Sequence, residues 1–201
     1  MALRVYNYLS HEVERFRPSD GDRVSLCVCG PTVHDHAHLG HARTYIVMDA
    51  IVRYLRFRGY RVSYVRQVID VGKTLSTGED RIVRTAKREG VSPAELAESY
   101  AHSFEDDMDV LRVLRPTLAP RATGHLLDAI IWIRDLVERG YAYEVDGNVF
   151  FSVDAFPSFG KLSRHRVART VPGGVVGSSA QRRNPADFPL WRKAEPGRTL
   201  S

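Results

Sequence analysis

The pattern that most constrains the fold is a strand, a glycine turn, a helix and a second strand within one short segment. Residues 23–29 form a β-branched, apolar run that ends at Gly30, as expected of a buried strand. Over residues 40–57 the apolar side chains recur every three or four positions, which predicts an amphipathic helix. Residues 60–68 are typical of a second strand. Because such crossovers join parallel strands, the sequence predicts an α/β fold.

Further elements follow on both sides of this unit. Residues 3–8 and 13–16 predict a short hairpin, and Asp146-Gly147 between two β-prone runs predicts another. The capping box "SPAE" at residues 92–95 predicts a helix over residues 93–111, because its proline takes the first helical position. Residues 123–140 predict a further helix that ends at a glycine. Beyond residue 160 the Gly, Ser and Arg content predicts an exposed loop.

Composition places the chain among ordinary globular proteins and leaves its charge open to two interpretations. Of its 201 residues, 43% are hydrophobic and 26% are charged. The net charge of +5 suits a phosphate-rich partner such as ATP or RNA, and it suits a solvated surface equally well. No apolar stretch approaches the roughly 20 residues of a membrane helix, and Cys27 and Cys29 are the only cysteines. We therefore expect a cytoplasmic protein with no membrane segment.

The stretch "CGPTVHDHAHLGH" at residues 29–41 concentrates the side chains that can carry chemistry. One interpretation is a metal site, because alternating histidines can offer several imidazoles to zinc. Proline, threonine and glycine interrupt the alternation, and no second cluster of metal-binding residues follows it. A self-contained metal site is therefore the weaker interpretation. The four histidines are His34, His36, His38 and His41.

The other interpretation is a nucleotide-binding turn. Cys29 ends a strand and Gly40 opens a helix, which places the turn at the carboxyl end of a parallel sheet. The N-terminus of a helix attracts phosphate there, and a glycine lets a nucleotide approach the backbone closely. His38 and His41 flank Gly40 and could donate hydrogen bonds to phosphate oxygens as charge develops. They could equally be simple helix-capping residues.

The same stretch, with the blocks after it, resembles the N-terminal catalytic part of the cysteinyl-tRNA synthetases, a family of class I aminoacyl-tRNA synthetases. "HLGH" at residues 38–41 matches the HIGH motif of that class, and "CGPT" precedes it as in the family. "FEDDMDVLRVLRPTLAPRAT", "FGKLSR" and "RRNPADFPLW" extend the similarity, in order, over nearly the whole chain. Mycothiol cysteine ligases, which join cysteine to a sugar amine, share many of these motifs.

The resemblance implies a fold, cofactors and site residues. The implied fold is the first half of the class I Rossmann (HUP-like) parallel sheet with an α-rich connective insertion. The implied cofactors are ATP with Mg²⁺, and zinc at Cys29, which would hold the substrate thiolate because soft metals prefer sulfur to hydroxyl. His38 and His41 are the implied catalytic pair. The implied ATP-binding residues are Gly30, Thr32, His38, Gly40 and His41, and the implied amino-acid pocket is Cys29, Thr32, Ile69 and Asp70.

Departures from the family pattern affect the expected activity. The family segment "TDxDDK" reads "IDVGKT" here, so that Ile69 replaces a threonine and Gly72 stands where an acidic pair is expected. A P-loop is excluded for this "GKT" because Gln67 occupies the position of its first glycine. The remaining zinc ligands, the KMSKS loop and the second half of the sheet have no match. We therefore expect the chain to need a partner for activity.

The expected organisation is the N-terminal half of a Rossmann domain over residues 1–78, a connective insertion over 79–183 and a return segment over 184–201. A half sheet leaves a strand edge open, so we expect a homodimer or a second polypeptide to cover it. The expected function is ATP-dependent activation of cysteine, or a related amino acid, as an adenylate for transfer to tRNA or a small acceptor. The alternative is a non-catalytic module that binds a nucleotide or a partner.

Overall fold

The computed structural model describes residues 2–72, 80–162 and 181–193. Most of the loop predicted beyond residue 160 lies outside these ranges, and so do Lys73 and Thr74 of the altered "IDVGKT" segment. Among the helices of the described residues, none is both long and apolar enough to cross a membrane. The sheets found in these ranges are small, with two, two and three strands.

The chain divides into two compact units. One comprises the described residues of Pro18–Leu126, and it contains the segment with the four histidines. The other comprises Met1–Arg17 and Leu127–Thr199. The second unit combines segments from both sides of the first, whereas the organisation expected from the resemblance follows chain order. The predicted boundaries at residues 78 and 183 therefore stay a prediction.

The predicted strand–helix–strand crossover forms the centre of the first unit. Strand β3 spans Arg23–Val28, helix α1 spans Leu39–Phe57 and strand β4 spans Arg61–Arg66. The two strands are parallel and in continuous register, from Arg23 opposite Arg61 to Val28 opposite Arg66. The prediction of a parallel pair is confirmed. The turn after β3 and the start of α1 consequently lie at the carboxyl end of the sheet, where open α/β sheets bind their ligands.

Helices α1, α2 and α3 supply most of the apolar core of this unit. Helix α2 spans Arg81–Glu89, and α3 spans Pro93–Val110, close to its predicted limits. One core cluster joins α1, β3, β4 and α3, and a second joins the ends of the strands to α2 and α3. The first cluster contains Val28, Tyr45, Val52, Tyr64, Phe104, Met108 and Val113.

The edge of β4 that faces away from β3 is covered by the chain itself. Leu118 pairs in parallel with Val65, and Arg121 pairs in parallel with Val68. The backbone N–H of Arg66 donates to the carbonyl of Leu118, and that of Val68 donates to the carbonyl of Pro120. The expectation of an open edge is therefore wrong for β4. Strand β3 pairs only with β4 within the described part of the chain, so the expectation remains for its other edge.

The second unit contains the two predicted hairpins. Strands β1 (Arg4–Asn7) and β2 (Glu12–Arg15) pair antiparallel, as do β5 (Ala142–Val145) and β6 (Asn148–Phe151). Asp146 and Gly147, between the latter two, both have positive φ (53° and 83°), as a type I′ turn requires.

Two other elements of this region differ from the prediction. The helix predicted over residues 123–140 begins as a 3₁₀ turn over Thr123–His125 and continues as α4, Leu126–Glu138. Strand β7, Phe188–Trp191, joins β6 and was not predicted. A proline within β7 hid it in the sequence, because Pro189 cannot donate a ladder hydrogen bond.

Candidate functional site

The turn between β3 and α1 is fastened to the chain that continues from β4. The N–H of Ile69 donates to the carbonyl of Pro31 (2.9 Å), and the N–H of Val33 donates to the carbonyl of Ile69 (3.1 Å). Thr32 and Ile69 thereby form a parallel bridge. Two residues of the expected amino-acid pocket, which lie far apart in sequence, are brought side by side.

Gly30 permits the close approach of these two segments. A Cβ atom at this position would lie 1.4 Å from the carbonyl oxygen of Gln67, which is backbone and cannot move aside independently. Any side chain at residue 30 would therefore separate the turn from β4. This packing role is independent of the predicted contact between Gly30 and ATP, which stays a prediction.

His38 and His41 together cap the N-terminus of α1. The N–H of Gly40 donates to Nδ1 of His38 (3.1 Å), and the N–H of His38 donates to Nδ1 of His41 (3.2 Å). This is a capping box with two imidazoles in place of the usual hydroxyl and carboxylate side chains. The two rings are adjacent, with centroids 4.0 Å apart and planes tilted by 33°. The capping interpretation and the phosphate-donor interpretation therefore apply to the same two residues.

The surroundings of His41 disfavour a positive charge on its ring. Burial lowers the pKa of His41, and the neighbouring His38 and His34 lower it further. The first turn of α1 contains no acidic residue that could stabilise an imidazolium. The positive end of the helix dipole acts in the same direction, because it repels cations.

Gly40 lies directly beneath the ring of His38. A Cβ atom here would lie 2.8 Å from Cε1 and 3.0 Å from Nδ1 of that ring. A side chain at residue 40 would therefore push the imidazole away from the N–H that it caps. The absence of a side chain serves the histidine cap as well as any ligand that approaches the helix.

His34 and His36 turn toward different partners. Nδ1–H of His34 donates to the carbonyl of Thr32 (3.0 Å), and its Nε2 faces the guanidinium of Arg81 at 3.5 Å. Nδ1 of His36 lies 2.9 Å from the hydroxyl of Ser103 on α3. The four histidines are therefore not arranged around one point, and the described residues contain no group of three or more metal-binding side chains.

Cys29 is exposed, and its backbone is held by the hydroxyl of Tyr45, which donates to the Cys29 carbonyl (3.0 Å). Zinc in proteins takes four ligands, or three and a water. The described residues bring no such set together at Cys29. The donor set described here therefore does not fit the zinc site that the resemblance implies.

Asp70 accepts hydrogen bonds from Thr123, just after the segment 118–121 that covers the edge of β4. The backbone N–H of Thr123 donates to one carboxylate oxygen (2.9 Å), and the Thr123 hydroxyl donates to the other (2.6 Å). Asp70 thus ties the end of β4 to the start of the 3₁₀ turn at Thr123–His125. Its predicted place in the amino-acid pocket stays a prediction.

Asp80 is a residue of the site to which the sequence analysis gave no role. The expected consequence of the "IDVGKT" segment was a loss of carboxylates beside Gly72. The structure instead returns a carboxylate there, because the N–H of Gly72 donates to Asp80 (3.0 Å). The same side chain caps α2 by accepting from the N–H groups of Ile82 and Val83, and it is 2% exposed. The nearby signal was an aspartate directly before a helical pattern.

Arg66 is a second residue to which the sequence analysis gave no role, and it packs beneath residues that contact the histidine turn. Its side chain is 1% exposed and donates to Glu105 on α3 (2.6 Å). The guanidinium carbon lies 5.2 Å from the ring centre of Tyr45 and 4.9 Å from that of Phe104. Phe104 in turn contacts His41 edge-on. The only sequence signal was a charged residue inside an apolar strand.

Comparison with known proteins matches this architecture. The family model for the catalytic domain of class I (C) tRNA synthetases matches residues 15–200. A cysteine–tRNA ligase of Chlorobium luteolum is 48% identical over all of this chain, and one of Thermococcus onnurineus is 45% identical over 98% of it. The chain spans 42% and 40% of the lengths of these two relatives.

A solved structure shares the fold at lower similarity. It is the ternary complex of the Agrobacterium radiobacter K84 agnB2 LeuRS with tRNA and LeuAMS, with a TM-score of 0.52 and 21% identity. The match covers 68% of this chain and 17% of that one. A structural match at this identity supports the fold, which is a partial Rossmann-like α/β architecture. The family match extends over most of the chain, and the chain therefore belongs to the family of class I (C) tRNA synthetase catalytic domains.

Proposed function

We propose that this chain binds ATP and takes part in activating cysteine, or a related amino acid, as an aminoacyl adenylate. The observation that carries the proposal is the histidine pair that caps α1 at the carboxyl end of two parallel strands. A helix N-terminus and two neighbouring ring N–H groups suit the oxygens of a polyphosphate. The names of the similar cysteine–tRNA ligases support cysteine as the amino acid.

The proposed reaction is a displacement at the α-phosphorus of ATP. A carboxylate oxygen of the amino acid forms a bond to phosphorus, the bond to the bridging oxygen breaks, and pyrophosphate leaves with the electron pair. Mg²⁺ would accompany the phosphates and neutralise part of their charge. His38 and His41 would donate to phosphate oxygens that gain charge in the transition state, and the protein's share of catalysis would be positioning and charge stabilisation.

The amino acid would lie beside the turn. Thr32 and Ile69 are neighbours across the parallel bridge, and Asp70 follows directly, so the pocket proposed for the amino acid is continuous in space. Cys29 precedes it on the same turn. Because the described residues do not fit zinc, the proposal assigns no step to a metal at Cys29.

The acceptor and the partner are further parts of the proposal. The acceptor would be tRNA, as the names of the relatives support, or a small amine or hydroxyl compound. A second copy or a second polypeptide would cover the outer edge of β3, which pairs only with β4 in the part of the chain that is described. Light scattering of the purified chain tests self-association, and a monomer at all concentrations would contradict the second copy.

Binding is tested first, by calorimetry with a non-hydrolysable ATP analogue. His38→Ala and His41→Ala should each weaken binding by about 1.5–3 kcal/mol, the usual effect of losing a hydrogen bond to a charged group. His102→Ala is the matched control, because His102 is exposed on α3 and lies 3.3 Å from Glu98, one turn earlier in the same helix. Unchanged binding in both turn variants would contradict the site.

Activity is tested by ATP–pyrophosphate exchange with each amino acid, with and without the protein encoded beside this one. Exchange that depends on cysteine and is lost in the two histidine variants would support activation. ATP binding without exchange under every condition would instead favour the non-catalytic binding module.

A further inference from the structure

The histidine cap defines where each ring carries its proton. A backbone N–H is only a donor, so an atom that accepts from it must hold a free lone pair. Nδ1 of His38 accepts from Gly40, and Nδ1 of His41 accepts from His38. Both Nδ1 atoms are therefore unprotonated, and each neutral ring carries its single proton on Nε2. His34 is the opposite tautomer, since its Nδ1 faces a carbonyl.

We propose that His38 and His41 meet nucleotide phosphate as neutral Nε2–H donors, and that protonation of either ring at Nδ1 removes the cap of α1 and weakens phosphate binding. This inference rests on the proposed function and adds the protonation state to it. It predicts the opposite sign from a mechanism with cationic histidines, in which acid would strengthen the attraction for phosphate.

The surroundings of the rings support the neutral state. The two rings are 4.0 Å apart, so two imidazolium charges would repel each other strongly. On the side of the preceding turn, the guanidinium of Arg81 lies against Nε2 of His34 and supplies positive charge. From α3 the group that faces His41 is the uncharged ring of Phe104. The first turn of α1 offers no carboxylate, and burial lowers the pKa of His41.

Protonation changes the cap from attraction to repulsion. A proton on Nδ1 of His38 would point at the N–H of Gly40, and a proton on Nδ1 of His41 would point at the N–H of His38. The ring must then turn away, and its Nε2–H leaves the position that the cap defined. The N–H groups of the first turn also lose their partners, so the helix end becomes less ordered. Both effects reduce the number of aligned donors for phosphate.

The first experiment uses the free chain and no ligand. Nitrogen NMR of the histidine rings at about pH 8 should show His38 and His41 as Nε2–H tautomers and His34 as Nδ1–H. On acidification, the amide signals of Gly40 and His38 should shift together with the ring signals. A cationic ring or an Nδ1–H tautomer at His38 or His41 at this pH would overturn the proposal.

The second experiment uses the double variant His38→Asn and His41→Gln as a matched control. Asn at the N-cap and Gln at the third helical position keep a capping box but do not titrate. The affinity for a non-hydrolysable ATP analogue with Mg²⁺ is measured from about pH 8 to about pH 5.5. A change of affinity with pH that both proteins share is caused by titration of the ligand. A change that only the wild type shows is caused by the two histidines.

The wild-type chain should lose about tenfold in affinity on acidification relative to the double variant, and the double variant should bind about tenfold more weakly at high pH. A wild-type affinity that rises on acidification relative to the control would overturn the proposal. If no analogue binds at any pH, the proposed function fails. The ring tautomers measured without ligand still test whether His38 and His41 cap α1 through unprotonated Nδ1 atoms. The two failures are therefore distinguishable.

Discussion

Two helix N-termini in the first unit perform the same structural task with different chemistry. Helix α2 begins at Asp80, whose carboxylate accepts from two backbone N–H groups, as an ordinary N-cap does. Helix α1 begins at His38, which accepts through a ring nitrogen and is itself capped by His41. Aspartate and serine cap a helix at least as well as histidine does. The proposed function gives the two histidines a second task, phosphate binding at the carboxyl end of the sheet.

The buried location of Asp80 makes its cap the stronger of the two. Asp80→Ala leaves the N–H groups of Gly72, Ile82 and Val83 without this acceptor in a buried place. We expect a loss of about 2 kcal/mol in the free energy of unfolding, measured by urea denaturation. Asp80→Asn keeps one acceptor oxygen and should lose less. Equal stability of the alanine variant and the wild type would contradict this role.

Gly40→Ala separates helix propensity from the histidine cap. Alanine is favoured over glycine within a helix by about 1 kcal/mol, but its Cβ would displace the His38 ring. We expect little net change in stability and about a tenfold loss of affinity for an ATP analogue. Gly124→Ala is the control, since nothing lies within 4 Å of a Cβ there. Tighter ATP binding by Gly40→Ala would count against the linkage between ring position and ligand.

The α1 cap should depend on pH and the α3 cap should not. The pKa of His41 is lowered from its ordinary value of 6.5, mainly by burial. The folded chain therefore binds fewer protons than the unfolded chain as pH falls below that value. The stabilisation is complete above 6.5 and is lost as pH falls through the lowered pKa of His41. The difference in unfolding free energy between wild type and His41→Gln should shrink accordingly, and a constant difference would contradict the assignment.

Ser92→Ala should have the smallest effect of the series. Ser92 is exposed, and its hydroxyl accepts from the N–H of Glu95 (3.2 Å) at the start of α3. We expect a loss of about 0.5–1 kcal/mol in stability, the same at every pH, and unchanged affinity for ATP. Calorimetry and urea denaturation measure both quantities. An effect on nucleotide binding would mean that the two helix ends are coupled.

The sequence predicted what depends on local pattern. The two strands predicted in residues 23–29 and 60–68, the helix between them and the Asp146-Gly147 hairpin turn are confirmed. Each is decided by the geometry of a few neighbouring residues, so it can be read without knowing the rest of the fold. His38, Gly40 and His41 were singled out on the same basis, because they are close in sequence.

Contacts between distant residues could not be predicted in this way. From the sequence, the segment at Gly72 lacks the carboxylates that the family has there. In the structure, the carboxylate of Asp80, eight residues further on, accepts from the N–H of Gly72. The sequence analysis left β4 at an open edge, but Leu118 and Arg121 cover that edge from about fifty residues away. It gave Arg66 no role, although the guanidinium is buried between Tyr45 and Phe104. In each case the deciding energy comes from burial and hydrogen bonds between segments, which no local period records.

By itself, the sequence determined the α/β class, the parallel crossover, the family and the histidine turn as the candidate site. Only the tertiary structure decided that the two histidines cap the N-terminus of α1 together through their Nδ1 atoms, that Thr32 and Ile69 are neighbours, and that Gly30 must lack a side chain against Gln67. The physical reason is the same throughout. Backbone periodicity selects the elements, whereas the position of each lone pair and each close backbone approach depends on how those elements pack.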